Sequence, residues 1–343
     1  MRIFIWNVNG LLPTYRNITL KHKGLKGFFE EHKADVVCVQ EAKIPEEKLT
    51  AEVACVEGYE SFWAHSRAKK GYSGVATWAK LNHSAVSAEV DFLGGGSDDI
   101  DQEGRVVMTD LGAFVLINVY VPNSGDIPER PRLHFKLKFL EELKSKMESL
   151  VSQGREVLVV GDFNIARAAN DVHKSFRLNE IYLPEEVALM NSFTVEFTDA
   201  WRKLHPDEAN VFTVWNERKN YRESNKGLRI DYALCSKGLA DKLVSCEVID
   251  TPRKWSDHAA LIVEFSDIPP SEAQPACPLS SRKMKKFKKQ KTIASMFAKK
   301  RPPEKQPTDV KNPKVSKIDG ADEASRNEKS GEDQAADNLQ EEK

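Results

Sequence analysis

The 343-residue chain contains no C-x-x-C pair: its five cysteines stand at 38, 55, 235, 246 and 277, odd in number and widely spaced. That spacing argues against a structural zinc site and against a disulfide framework, and it fits a reducing, intracellular compartment. No apolar run approaches the roughly 18 residues needed to cross a bilayer, so no membrane partner is expected. The opening MRIFIWNVNG is too short and too polar for a secretory signal. No period of solenoid type recurs. Aromatics are scarce at one end: all six Trp precede residue 266, and the 78 residues from Ser266 onward hold only Phe287 and Phe297. Such a segment cannot bury enough apolar surface to offset its ordering entropy. Residues 1–265 therefore read as one folded domain and 266–343 as a disordered tail.

A surplus of positive charge is also missing where a polyanion would need it. The whole chain carries −1. Residues 278–301 hold ten Lys or Arg and no acid, whereas 302–343 hold eleven acids against seven bases. With Asp267 and Glu272 the tail nets +4, which leaves −5 on the first 265 residues. An anionic substrate must then be held by local groups or a metal, not by the overall field.

What is present is a series of short apolar runs that end in polar residues. RIFIW ends in Asn7 and Asn9, DVVCVQ in Gln40 and Glu41, and VLVVG in Asp162 and Asn164; GVATWA follows Gly71, Ser73 and Gly74, and AFVLINVYVP carries Tyr120 and Asn123. RIDYALCS contains Asp231, and KWSDHAALIVEF sets Asp257 and His258 just before a last strand. Between the runs lie helical stretches, clearest at 130–151, where Leu133, Leu137, Leu140, Leu143, Met147 and Leu150 recur at three- and four-residue steps. The pattern predicts an α/β fold with strands in two layers, helices outside, and polar groups gathered at one rim of strand ends.

Each polar group alone has an ordinary explanation. Asp-Phe-Asn suits a strand-end turn, and Ser-Asp-His suits a helix cap. Together, each at the end of a strand, they form a set of oxygen donors that suits a hard cation such as Mg²⁺, which keeps several waters and shares its other positions with a substrate phosphate.

The blocks WNVNG, VVCVQEAKI, GYSGVA, DQEGRVV, INVYVPNSG, VVGDFNIA, GLRIDYALCS and WSDHAALIVEF resemble, in order and over residues 1–265, the exonuclease III-like abasic-site endonucleases of the endonuclease/exonuclease/phosphatase superfamily. The resemblance implies a four-layered α/β sandwich, two packed mixed β-sheets flanked by helices. It implies dependence on Mg²⁺, with Mn²⁺ as a substitute, and hydrolysis of phosphodiesters in damaged double-stranded DNA, 5′ to abasic sites or at 3′ ends. By the same likeness Asn7, Glu41 and Asp257 hold the metal, with Asp162, Asn164 and His258 as further candidates. Asp162 orients and deprotonates the attacking water, or protonates the leaving group; Asn164 and His258 donate to phosphoryl oxygens, Tyr120 meets the phosphate or the leaving oxygen, and Asp231 fixes the His258 tautomer. Tyr72, Ser73, Asn123, Val214, Leu228 and Ile230 fall where that family meets DNA.

Val214 and Leu228 depart from the family pattern, standing where the animal enzymes place two bulky aromatics around the extruded sugar. A softer pocket grips that sugar less, so 3′-end processing is expected to match or exceed abasic incision. In the tail, QKTIASMF places Gln290, Ile293, Met296 and Phe297 in the pattern of sliding-clamp-binding peptides over 290–297, with Met296 where an aromatic is usual. The basic run 282–291 reads as a nuclear localisation signal or a DNA arm. This layout resembles the second-type abasic endonucleases of eukaryotes, which commonly add a C-terminal zinc finger; no Cys follows 277. A nuclear monomer is expected. Two other readings stand beside this one, a superfamily phosphodiesterase or phosphatase acting on RNA or phosphoinositides, and a non-catalytic clamp-bound DNA adaptor.

Overall fold

The computed structural model describes residues 1–95, 99–271 and 275–287. One six-stranded sheet runs in the order β13 (Leu243–Ile249), β14 (Ala260–Phe265), β1 (Arg2–Asn7), β2 (Val36–Gln40), β4 (Val75–Lys80), β3 (Tyr59–Ala64). The other runs β5 (Ser87–Val90), β6 (Val106–Asp110), β7 (Val115–Tyr120), β8 (Val157–Asp162), β12 (Asp231–Cys235), β9 (Thr198–Asp199). A two-stranded ribbon, β10 (Val214–Trp215) with β11 (Gly227–Leu228), stands apart. Each sheet is mixed, because β1–β2 and β7–β8 are parallel pairs among antiparallel neighbours.

The layering follows from the two-residue period of a strand. In β1, Ile3 and Ile5 face the core between the sheets while Phe4 and Trp6 face outward. In β8, Leu158 and Val160 point inward and Val157 and Val159 outward. The outward faces are covered by helices, Leu11–His22 and Leu25–Glu31 on the first sheet and Leu133–Ser152 and Pro184–Glu196 on the second. The result is the expected four-layered sandwich.

Two features interrupt the inner core, one of them polar. Gln40 donates to the Asn118 side chain at 2.7 Å, and Asn118 donates in turn to the Ala76 carbonyl at 2.9 Å, so a buried amide pair joins the sheets. Beside it Gly161 has φ +133°, and a Cβ there would lie 2.0 Å from the Val119 carbonyl oxygen. Only glycine allows β8 to run this close to β7 just before Asp162.

The helix expected over 130–151 forms at Leu133–Ser152 and buries Leu140, Leu143 and Met147. Its stripe also buries Lys136, which donates to Glu186 at 2.8 Å and to the Asn164 carbonyl at 2.9 Å; Arg130 reaches the same Glu186 at 3.2 Å. The domain boundary expected at 265 needs correction. Beyond it Cys277, Ser280 and Ser281 are buried, because Ser280 donates to Glu60 at 2.7 Å and Ser281 accepts from the Ser61 amide at 3.0 Å. The readings of 288–343, including Gln290, Ile293, Met296 and Phe297, lie outside the described residues.

Among the described residues Glu186 is the carboxylate in ion-pair contact with both the buried Lys136 and Arg130. Glu186→Ala leaves two buried cations without a counter-charge and should cost about 3–5 kcal/mol of stability, read as a lower urea midpoint at unchanged slope.

Candidate active site

The polar strand ends come together because of how the sheets are threaded. β1 and β2 are parallel, so Asn7 and Gln40 pair at the same end. β14 runs antiparallel to β1, which brings the residues before it, Asp257 and His258, to that end as well. In the second sheet Tyr120 is in register with Asp162 across β7–β8, and Asp231 with Asp162 across β8–β12.

The Asn7 side-chain amide donates to Asp162 at 2.9 Å and to Glu41 at 3.0 Å. The Asn164 backbone amide donates to the other Asp162 oxygen at 2.7 Å. His258 Nδ1 meets Asp231 at 2.9 Å, and its Nε2 lies 3.9 Å from Asp162. One ligand atom each from Asp162, Asp231 and His258 falls within 4.8 Å of the others. Glu41 carries the Lys43 ammonium at 2.7 Å, and Lys43 also donates to Asn9 at 2.5 Å. Asn9 in turn donates to Asp257 at 3.0 Å. Asn123 is exposed and donates to Asn164 at 3.3 Å.

Burial sets the protonation states. For Asp162, burial first and then the Asp231 charge push the carboxyl well above the usual carboxylate range. For His258, burial opposes the charge, but Asp231, joined by Asp162 and Asp257, outweighs it and raises the imidazole to about 10. Burial also opposes ionisation of Glu41, yet Lys43 holds its carboxyl below the ordinary value. The Tyr120 phenol is pushed well above its ordinary value by burial and then by Glu41, so it stays protonated.

These groups line an open cleft of about 1140 Å³. One wall is Val214, Leu228 and Ile230; Val214 and Leu228 are direct partners across β10–β11, and Val214 bridges to His258. The exposed Arg218, Lys219, Arg253 and Lys254 stand on its rim, with the half-buried Lys226. They supply the local positive charge that the net balance lacks.

One expected DNA contact is placed differently. Ser73 is fully buried, with its carbonyl accepting from the Lys43 amide, so its side chain does not reach a ligand. Ser73 has φ +51° in the turn between Gly71 and Gly74. Tyr72 backs Tyr120: Arg105 lies between the two rings, 4.6 Å from the Tyr120 centroid and 5.5 Å from that of Tyr72, and donates to the Tyr72 hydroxyl at 2.9 Å. Sequence reasoning missed Arg105, Lys43 and Lys136, whose partners only the fold brings close.

Residues 5–258 match the Endonuclease/Exonuclease/phosphatase family. A curated Mus musculus protein named DNA-(apurinic or apyrimidinic site) endonuclease 2 is 28% identical over 325 residues, covering 81% of this chain and 63% of that protein. Its Schizosaccharomyces pombe namesake is 29% identical over 316 residues, covering 78% of this chain and 58% of that protein. The chain thus spans less than two thirds of these curated relatives. Among solved structures, the catalytic domain of Xenopus laevis APE2 superposes with a TM-score of 0.74 at 28% identity, covering 84% of this chain and 98% of that one. An AP endonuclease from Archaeoglobus fulgidus gives 0.65 at 26% identity, covering 78% and 99%.

The His258–Asp231 pair makes stability depend on pH. The folded pKa near 10 lies above the unfolded value of 6.5, so the pair stabilises fully below about pH 6.5 and fades as pH rises through 10. In urea denaturation with chelator, the loss caused by Asp231→Asn should be largest at pH 6 and shrink toward pH 10.

Proposed function

The chain belongs to the endonuclease/exonuclease/phosphatase family, and on that premise we propose that it is a Mg²⁺-dependent DNA repair nuclease hydrolysing phosphodiesters 5′ to abasic sites and at 3′ ends. The observation that carries this reading is a buried carboxylate facing a buried imidazole across 3.9 Å, Asp162 and His258, in a cleft with a cationic rim. The names of the curated relatives support the substrate class.

In this mechanism a water attacks phosphorus in line and gives its proton to Asp162, whose raised pKa makes it an effective base. The phosphorus–oxygen bond to the leaving sugar breaks, and the departing oxygen becomes a hydroxyl by taking a proton from the Tyr120 phenol or from solvent. His258 donates from Nε2 to a phosphoryl oxygen, with Asp231 fixing the ring through Nδ1. Asn164, held by Lys136 from behind, positions Asp162 through its amide and lies beside the phosphate with Asn123. The Tyr120 phenol donates to the phosphate or the leaving oxygen.

The donor set fits a hard divalent cation, Mg²⁺ or Mn²⁺: Glu41 is ionised, Asp257 and Asn7 add oxygens, and the Lys43 ammonium bridging Glu41 and Asn9 marks a spot that attracts positive charge. When bound, the ion neutralises charge on the phosphoryl oxygens. His258, tied to Asp231 through Nδ1, acts as a hydrogen-bond donor from Nε2 in this mechanism rather than as a metal ligand. The Val214–Leu228 wall supports the weaker grip on an extrahelical sugar, and with it 3′-end processing at least equal to incision. In the tail, 282–291 would direct the protein to the nucleus and 290–297 would bind the sliding clamp.

Two measurements test these proposals. On end-labelled duplexes with Mg²⁺, one bearing an internal abasic analogue and one a 3′-blocked nick, Asp162→Asn should lower cleavage of both by about 10²–10⁴, and the blocked nick should be processed at least as fast as the abasic site. Cleavage that persists in the variant rejects the mechanism, and incision far faster than end processing rejects the specificity. In titrations against purified clamp, Ile293→Ala with Phe297→Ala should weaken binding at least tenfold; unchanged affinity removes the clamp proposal.

A further inference from the structure

Residues 277–287 form a strap that the catalytic chemistry leaves unused. Its start is locked into the domain: Cys277 packs in the core between the sheets, Ser280 donates to the buried Glu60 at 2.7 Å, and the Ser61 amide donates to Ser281 at 3.0 Å. Its far end is laid down by Met284 and Phe287, which pack on the outer apolar cluster of the first sheet, and by Lys286, which donates to the Glu46 carbonyl at 2.6 Å. Between these anchors Arg282, Lys283, Lys285 and Lys286 are all exposed. Among the described residues no acidic side chain pairs with any of the four.

Holding four like charges on an ordered backbone costs repulsion and entropy that a free arm avoids. The strap comes down beside Glu46, and the chain leading into Glu46 carries Glu41 and Lys43 of the cleft, with the exposed Lys69 and Lys70 near by: Lys70 pairs with Glu47 at 2.5 Å. The other side of the cleft carries Arg218, Lys219, Arg253 and Lys254. On a domain whose first 265 residues net −5, an anchored row of cations that no acid among the described residues neutralises, ending against Glu46 five residues beyond Glu41 of the cleft, is complementary in charge to duplex phosphates.

We propose that the anchored strap Arg282–Lys286 is a built-in phosphate-binding surface that holds the DNA duplex beside the cleft, with Ser280 and Ser281 as the residues that position it. The proposal rests on DNA as the substrate, and its test is binding, which is read separately from cleavage.

The full chain is titrated in EDTA against a fluorescein-labelled 30-base-pair nicked duplex, by anisotropy, over a series of KCl concentrations. Neutralising the row (Arg282→Gln, Lys283→Gln, Lys285→Gln, Lys286→Gln) should weaken binding about tenfold or more near 150 mM KCl and reduce the log–log salt slope by about 2 to 3, since each phosphate contact contributes roughly 0.9. The turnover number at saturating substrate should stay unchanged. Ser280→Ala with Ser281→Ala keeps every charge but releases the strap, and should weaken binding severalfold; because it takes a donor from the buried Glu60, its melting temperature is measured alongside. Unchanged affinity and slope in the Gln variant overturn the proposal, as does loss of nuclear import alone. Wild-type affinity in the Ser variant also overturns it, because the run is then a free arm. If the Ser variant melts early, the Gln variant alone decides. A wild-type chain that binds the duplex in this way but never cleaves it would defeat the proposed function and leave the strap standing.

Discussion

The Asn7 side chain holds the site together. It belongs to β1 of the first sheet, and its amide splits between Glu41 of the same sheet and Asp162 of the other. Two sheets packed by apolar contacts could slide relative to one another at little cost, since such contacts are non-directional. A buried hydrogen bond to a carboxylate is directional, and breaking it strands a desolvated charge. The Gln40–Asn118 bond does the same job one layer deeper. The relative position of the sheets, and so the spacing of every group contributed by both, is set by these amides.

The same desolvation that makes the amides effective also tunes the ionisable groups. Asp162 and His258 are both buried, and each would tend toward its neutral form alone. Asp231 tips the balance, making the imidazole cationic while adding to the pressure that raises Asp162. The carboxylate is thus held in place by Asn7 and Asn164 yet binds a proton more readily than a surface aspartate. Lys136 and Glu186 supply the rigid base: a lysine inside the sandwich holds the Asn164 carbonyl while its charge is met by a glutamate from another helix.

Much of this was legible in the sequence because it is local. An apolar run that ends in Asp-Phe-Asn or in Gln-Glu is visible within ten residues, and the strand bodies β1, β2, β4, β7, β8, β12 and β14 fall where those runs lie. What stayed hidden depends on distance. Lys136 looks like a surface residue of an amphipathic helix until Glu186, 50 residues away, is placed beside it. Ser280 and Ser281 look like tail residues because Glu60 and Ser61 precede them by 220 positions. Ser73 looks like a ligand contact because polarity in a sequence does not reveal burial. The two-residue strands β9, β10 and β11 are too short to show a period at all.

Strand β3 ends the first sheet, with β4 on one side and, among the described residues, no strand on the other. A strand with an open row of backbone donors and acceptors is a template on which a second molecule can add its own strand. Here Ser281 takes the Ser61 amide, and the chain that follows lies across that border. A shortened protein ending before residue 277 would keep its cleft intact and still present β3 bare, so its failure would show as self-association and loss of solubility, with chemistry spared in whatever stayed monomeric.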